Sequence, residues 1–280
     1  MKHFLSIISA TLCAAIALVS CGNSYPEELC RTAPVFVKNH GGKKLVAMDL
    51  DATLTQHKTD ITDANIAALD QLGKKYELVM ICAGNAPRVY KQMRNYPIAI
   101  VGNYGMQEAH VEGDSLVIVR QDTCPADTAF FMEKTNYLRD KYGFTKYYGD
   151  PVEFHASGMV TFALIGTTAP TEEKLVFDPD KAKRRAMYPE VCEIFGDNYS
   201  IFIGGSTSFD FAGKQYNKYD ATMRYAEAFG YTQDEVIFIG DDFGDGGGDS
   251  HVRIKGMDYI HIHDYTKFPE AVQPLLDAKK

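Results

Sequence analysis

The sequence predicts an α/β protein: a parallel sheet with helices on its faces, interrupted by a smaller α+β domain built on an antiparallel sheet. Three observations predict it. Short apolar runs alternate with helical stretches in the order βαβαβ between residues 44 and 101. Hairpin patterns with glycine turns then take over between about 112 and 212. After 213 the helix–strand alternation returns. The larger domain is therefore expected to be discontinuous, 43–111 plus 213–280, with 112–212 inserted as a cap.

The elements follow in order. Lys44–Leu50 is a strand, and Thr62–Leu72 a helix with Thr62 as its cap and Ile66 and Leu69 on one face. Leu78–Cys82 is a second short strand, Pro87–Arg94 a helix with proline in its first turn, and Ile98–Val101 a third strand. A hairpin at Val111–Val119 turns around Glu112-Gly113-Asp114. In the insert, Ala126–Lys141 and Pro179–Phe195 read as two helices. Val152–His155, Met159–Ile165, Tyr199–Ile203 and Ser206–Phe211 read as strands. The return carries a helix at Tyr219–Phe229 stopped by Gly230, strands at Val236–Ile239 and Tyr259–Ile262, and a helix at Pro269–Ala278.

The 280 residues carry a net charge of −8 with no long basic run, so nucleic acid is not expected as a partner. Lys2 precedes an apolar run, Phe4–Val19, that ends in Leu18-Val19-Ser20-Cys21. This resembles a bacterial lipoprotein signal over residues 1–21, which implies lipidation at Cys21, export, and anchoring to a membrane. Residues 22–43 have no clear period and read as a tether. Cys30, Cys82, Cys124 and Cys192 lack a C-x-x-C pair, so a zinc site is not expected, and Cys82 reads as a core residue. Spacing leaves disulfides open.

Chemistry is concentrated where strands end. Leu45–Met48 closes on Asp49-Leu50-Asp51-Ala52-Thr53, and Val236–Ile239 closes on Gly240-Asp241-Asp242, with Asp245 and Asp249 in the glycine-rich loop beyond. Open α/β sheets place ligands at the carboxyl ends of their strands. One carboxylate there can attack phosphorus while another, two residues on, moves a proton. Two acid-ended strands can also converge on a hard cation such as Mg²⁺. Lys218, at a helix start, can neutralise a phosphate and a nucleophilic aspartate together. Each motif alone also suits solvated surface; the ordered set Asp49/Asp51, Lys218, Asp241/Asp242 shifts the weight toward a site.

This order resembles the haloacid dehalogenase superfamily, with a Rossmann-like core, and within it the branch of phosphomannomutases and related sugar phosphatases. Asn103-Tyr104-Gly105, Val152-Glu153-Phe154, Gly158-Met159, Ile165-Gly166 and Gly204-Gly205-Ser206-Thr207-Ser208-Phe209-Asp210-Phe211 extend the likeness over about residues 44–278. The resemblance implies Asp49 as a nucleophile forming an aspartyl-phosphate, Asp51 as acid and base, and Lys218 on the phosphoryl group. It implies Mg²⁺ on Asp49, the Asp51 carbonyl and Asp241, with Asp245 or Asp249 in support. Thr53, Ser208 and Asp210 are expected on phosphate or substrate, under a cap that closes over the site.

The chain departs from the family at Ala52, where Gly is usual, at Gly248, where the loop carries Asn, and in two further places. The second strand ends in Cys82-Ala83-Gly84-Asn85, without the family's Ser or Thr, and Asn85 is the substitute donor available. The family's distal-phosphate arginines correspond to Lys58, His155, Thr167 and Lys174, and lysine lacks the bidentate fork. The expectation is a phosphatase acting on a small phosphate ester, a sugar phosphate, with a phosphohexomutase or a weakly catalytic binding lipoprotein as alternatives.

Overall fold

The computed structural model describes residues 42–278. Cys21, the expected signal and residues 22–41 of the expected tether lie outside them.

A seven-stranded sheet in the order β11-β10-β1-β2-β3-β4-β5 forms the larger domain. Its parallel part comprises β1 (Leu45–Met48), β2 (Glu77–Ile81), β3 (Ala99–Gly102), β10 (Val236–Gly240) and β11 (Tyr259–His261). Alternation along these buried strands divides the core between the two faces. Val46, Met48, Met80, Ile100, Ile237 and Ile239 pack with Leu69 and Leu72 of α1 (Asp63–Leu72) and Val89 of α2 (Ala86–Gln92). Leu45, Ala47, Val79, Ile81, Val236 and Phe238 pack on the other face with Ala221 and Ala226 of α6 (Lys218–Ala228). The Thr62 cap is confirmed, its side chain accepting from the Asn65 N–H at 3.2 Å.

The hairpin differs from expectation. β4 (Gln107–Glu112) runs antiparallel to β3, and β5 (Ser115–Gln121) pairs with β4, so both extend the larger sheet through Gln121 rather than opening the cap at 112. Local pattern defines a hairpin but not the sheet edge it joins.

The second sheet is antiparallel, in the order β6-β7-β9-β8: β6 (Val152–Phe154), β7 (Val160–Ala163), β8 (Tyr199–Gly204) and β9 (Ser208–Gly213). Val160, Phe162, Ile201, Ile203, Phe209 and Phe211 point to one side and pack with Phe131 and Leu138 of α3 (Thr128–Tyr142) and Met187, Val191 and Phe195 of α5 (Ala182–Phe195). The period of two then puts Thr161, Phe202, Ser208 and Asp210 on the opposite face. There Phe202 stacks on Tyr104 of the larger domain, ring centroids 4.0 Å apart, within a cluster that includes Met106, Met159 and Tyr216.

Three further helices depart from the reading. The cap carries a third helix, α4 (Thr171–Phe177), with no buried residue and hence no apolar face to announce it. A short α7 (Ser250–Ile254) follows the acidic loop, and the last helix is split at Val272 into α8 (Phe268–Ala271) and α9 (Gln273–Asp277).

Candidate active site

β1 lies between β10 and β2, with Met48 opposite both Ile239 and Met80. The Asp49 N–H donates to Ile239 O at 2.9 Å, so the pairing carries Asp49 alongside the end of β10 where Asp241 follows. The carboxylates of Asp49, Asp241 and Asp249 offer ligand atoms within 4.8 Å of one another.

Lys218 is the positive partner. It opens α6 behind the Asn217 cap, and its ammonium reaches 2.9 Å from Asp49 Oδ1 and 2.7 Å from Asp249 Oδ1. Burial lowers its proton affinity, but the two carboxylates more than offset this and hold it well above the usual lysine range. Asp249 is fully buried, and its Oδ2 accepts the N–H groups of Asp241 at 3.1 Å and Asp242 at 3.0 Å. Gly240 makes this possible: a Cβ there would lie 2.3 Å from Asp249 Oδ2. Burial pushes the Asp49 carboxyl up to about 6 despite Lys218. Burial, with Asp249 and Asp49 close by, pushes Asp241 well above the carboxylate range.

Oxygen donors crowded around one ammonium fit a hard divalent cation, which would neutralise charge that Lys218 leaves uncompensated. Asp49, Asp241 and Asp249 are the residues that would hold it. Asp245 does not join them: its exposed carboxylate pairs with Arg253 at 2.7 Å. Sequence spacing allowed either aspartate, and the direction of the loop decided for Asp249.

Asp51 has partners of its own. Its Oδ2 takes Arg88 Nη2 at 3.0 Å, and its Oδ1 takes Gln92 Nε2 at 2.9 Å and the Lys58 N–H at 2.7 Å. Burial raises its pKa, but Arg88, Gln92 and Lys58 outweigh this and hold the carboxyl at about 2. Thr53, expected against the phosphate, is fully buried, and its hydroxyl donates to Asp241 Oδ1 at 3.1 Å; it orients an acid instead. Asn85 is the cap of α2, its Oδ1 accepting from the Arg88 N–H at 2.9 Å.

In the cap, Asp210 lies on the sheet face turned away from the cap's own core. Thr161 Oγ1 donates to Asp210 Oδ1 at 2.9 Å, and His155 Nε2 lies 3.0 Å from Thr161 Oγ1. Burial raises the Asp210 carboxyl, while Thr161 and the charges of His155, Arg184 and Lys58 pull it back. Ser208 Oγ donates to Gly204 O at 3.1 Å on the same sheet face. Lys174 is not drawn to these residues; its ammonium donates to Thr167 O at 2.9 Å.

Four contributors were missed in the sequence. Lys181, at φ 60° before α5, joins cap to core by pairing with Asp242 at 2.5 Å. The buried Arg184 is held by Asp178 at 2.8 Å and donates to Gly204 O at 2.7 Å and Gly205 O at 3.0 Å, fixing the turn ahead of Ser208. Arg88 and Gln92 secure Asp51. Their i, i+4 spacing on one helix was the available sign.

Residues 126–246 match the family model of haloacid dehalogenase-like hydrolases. Among solved structures, N-terminally truncated, IMP-bound IMP-nucleotidase of Plasmodium falciparum is similar at a TM-score of 0.63 and 14% identity, covering 85% of this chain and 69% of that one. A haloacid dehalogenase-like hydrolase from B. subtilis gives 0.51 at 16% identity, covering 75% of this chain and 86% of that one. One from Bacteroides thetaiotaomicron gives 0.50 at 16% identity, covering 83% and 98%. At these identities the structural likeness shows the fold, that of a capped haloacid dehalogenase-like core. No curated protein matches. The fold, the family match and the acid–lysine site together support a phosphoric monoester hydrolase.

Proposed function

We propose that this chain is a Mg²⁺-dependent phosphatase that hydrolyses a small phosphate ester, a sugar phosphate, through an aspartyl-phosphate on Asp49. The observation that carries the reading is Lys218 bridging Asp49 and Asp249 beside Asp241. A nucleophile is thereby held ionised against its burial, beside oxygen donors suited to a hard cation. That cation would supply charge neutralisation at the phosphoryl oxygens.

In the first half-reaction Asp49 attacks phosphorus, the bond to the leaving oxygen breaks, and protonated Asp51 gives its proton to that oxygen. In the second half, water attacks the phosphorus, Asp51 takes the water proton, and the bond to Asp49 breaks. Lys218 offsets negative charge throughout. Asp51 must leave Arg88 to act, because its present contacts keep it ionised. Lys58, Ser208 and Asp210 are the groups suited to the ester's hydroxyl-bearing part. The engagement of Lys174 with Thr167 weakens the case for a distal phosphate grip and with it the mutase alternative.

The test is a panel of hexose phosphates and IMP with Mg²⁺, comparing wild type with Asp49→Asn. Phosphate release should exceed isomerisation, and Asp49→Asn should abolish it while the fold is retained. Turnover by a folded Asp49→Asn protein would end the covalent reading. Lipidation of Cys21 and export belong to the same proposal. Cys21→Ser should release the protein from membranes without changing its turnover. No helix among the described residues is long and apolar enough to cross a membrane.

A further inference from the structure

We propose that Arg88 is the phosphoryl-binding group at the end of β2, taking the place of the side-chain hydroxyl absent there, and that it holds Asp51 until the phosphoryl group arrives. This rests on the phosphatase reading above.

Because β2 runs beside β1 in parallel, Cys82–Asn85 leaves the sheet at the same end as Asp49. At that end the Lys218 ammonium lies 2.9 Å from Asp49 Oδ1, and Arg88 Nη2 reaches Oδ2 of Asp51, two residues beyond Asp49, at 3.0 Å. Yet Ala83 and Gly84 carry no donor side chain, and the Asn85 side chain is turned to the start of α2, its Oδ1 accepting from the Arg88 N–H. The space that a side chain at 84 would enter is filled from elsewhere. A Cβ on Gly84 would lie 2.0 Å from Arg88 Nη2 and 2.5 Å from Nε. The guanidinium has thus folded back from the first turn of α2 over the glycine.

Its engagements there leave capacity. Nη2 donates to Asp51 Oδ2 at 3.0 Å and Nη1 to Gln92 Oε1 at 2.8 Å, two contacts from a group with five N–H donors. The side chain is 32% exposed, so an anion can approach it. A planar guanidinium matches phosphoryl oxygens in pairs, and a doubly charged phosphoryl group competes well against one carboxylate. When Arg88 turns to the phosphoryl group, Asp51 loses the guanidinium and keeps the Gln92 and Lys58 N–H contacts, with His57 Nδ1 3.7 Å from its Oδ1. Its carboxyl is then free to swing toward the leaving oxygen. Loss of the guanidinium raises the carboxyl's proton affinity, so Asp51 takes a proton from solvent water and can then give it to the leaving oxygen, which ties arming of the acid to arrival of the substrate.

The experiment measures inorganic phosphate binding by calorimetry in Mg²⁺, beside phosphate release, for wild type, Arg88→Ala, Arg88→Lys and Arg88→Ala/Gly84→Ser. Arg88→Ala should weaken phosphate binding by roughly tenfold or more and lower turnover by about 10²-fold, the scale for loss of one preorganised donor. Guanidinium ion added to Arg88→Ala should restore part of both, and Arg88→Lys should fall between. Gly84→Ser in the Arg88→Ala background should recover phosphate binding, because the hydroxyl enters the vacated space. A folded Arg88→Ala protein with wild-type phosphate affinity overturns the proposal and leaves Arg88 as a brace for Asp51, with the phosphatase reading intact. A wild-type protein that binds no phosphate and hydrolyses no ester overturns both.

Discussion

The Lys218 ammonium sits 2.7 Å from Asp249 Oδ1, and both side chains are almost wholly removed from solvent. The pair anchors the floor of the site, because the other oxygen of Asp249 fixes the N–H groups of Asp241 and Asp242.

Breaking that anchor should be costly. Asp249→Ala leaves Lys218 buried with Asp49 alone and strands two N–H groups, an expected loss of about 3–5 kcal/mol. Asp245→Ala removes an exposed pair with Arg253 and should cost about 1 kcal/mol or less. Urea unfolding of both variants checks the contrast. Equal losses would contradict the assignment of Asp249, rather than Asp245, to the site.

Phosphate release should depend on metal and pH together. In the proposed reaction Asp49 attacks as the carboxylate, and burial sets its pKa to about 6 without a bound metal. Below that value the protonated fraction grows and turnover should fall about tenfold per pH unit. A cation on the cluster favours the ionised form, so raising Mg²⁺ should shift this limb to lower pH, and chelation should stop turnover. Rates measured against pH at two Mg²⁺ concentrations test this. A limb indifferent to Mg²⁺, or activity that survives chelation, would contradict it.

Asp51 should contribute to stability above the acid range only. Its folded pKa of about 2 lies below the ordinary value of 3.8, so the folded state binds fewer protons than the unfolded chain as pH falls. The contribution, about 2 kcal/mol, is complete above pH 4 and disappears between pH 4 and 2. Asp51→Asn should therefore flatten the decline in unfolding free energy over that window by about one proton. The same slope in both proteins would show that Arg88 and Gln92 do not hold the carboxylate in solution.

The comparison of sequence and structure divides along physical lines. Strands β1 and β10 were legible because a buried strand is a continuous apolar run, and its end is marked by the first charge. The acids Asp49 and Asp241 were thus located before their neighbours were known. The hairpin at 107–121 was legible as a hairpin, but membership in the larger sheet depends on β3 offering it an edge. Helix α4 escaped because it buries nothing. Lys181, Arg184 and Arg88 escaped because a charged side chain looks alike in sequence whether it is solvated or paired.

By itself the sequence determined the α/β class, the inserted antiparallel domain, and the order of the Asp49 strand end, Lys218 and the second acidic strand end. These follow from periodicity and from residue type at strand ends, which are local properties of the chain. Tertiary structure alone decided that Asp249 and not Asp245 closes the site, that Thr53 orients Asp241, that Asp51 rests against Arg88, and that Lys181 joins the cap to Asp242. Those are matters of direction and distance between residues far apart in the chain, set by which strands become neighbours and which way each loop turns.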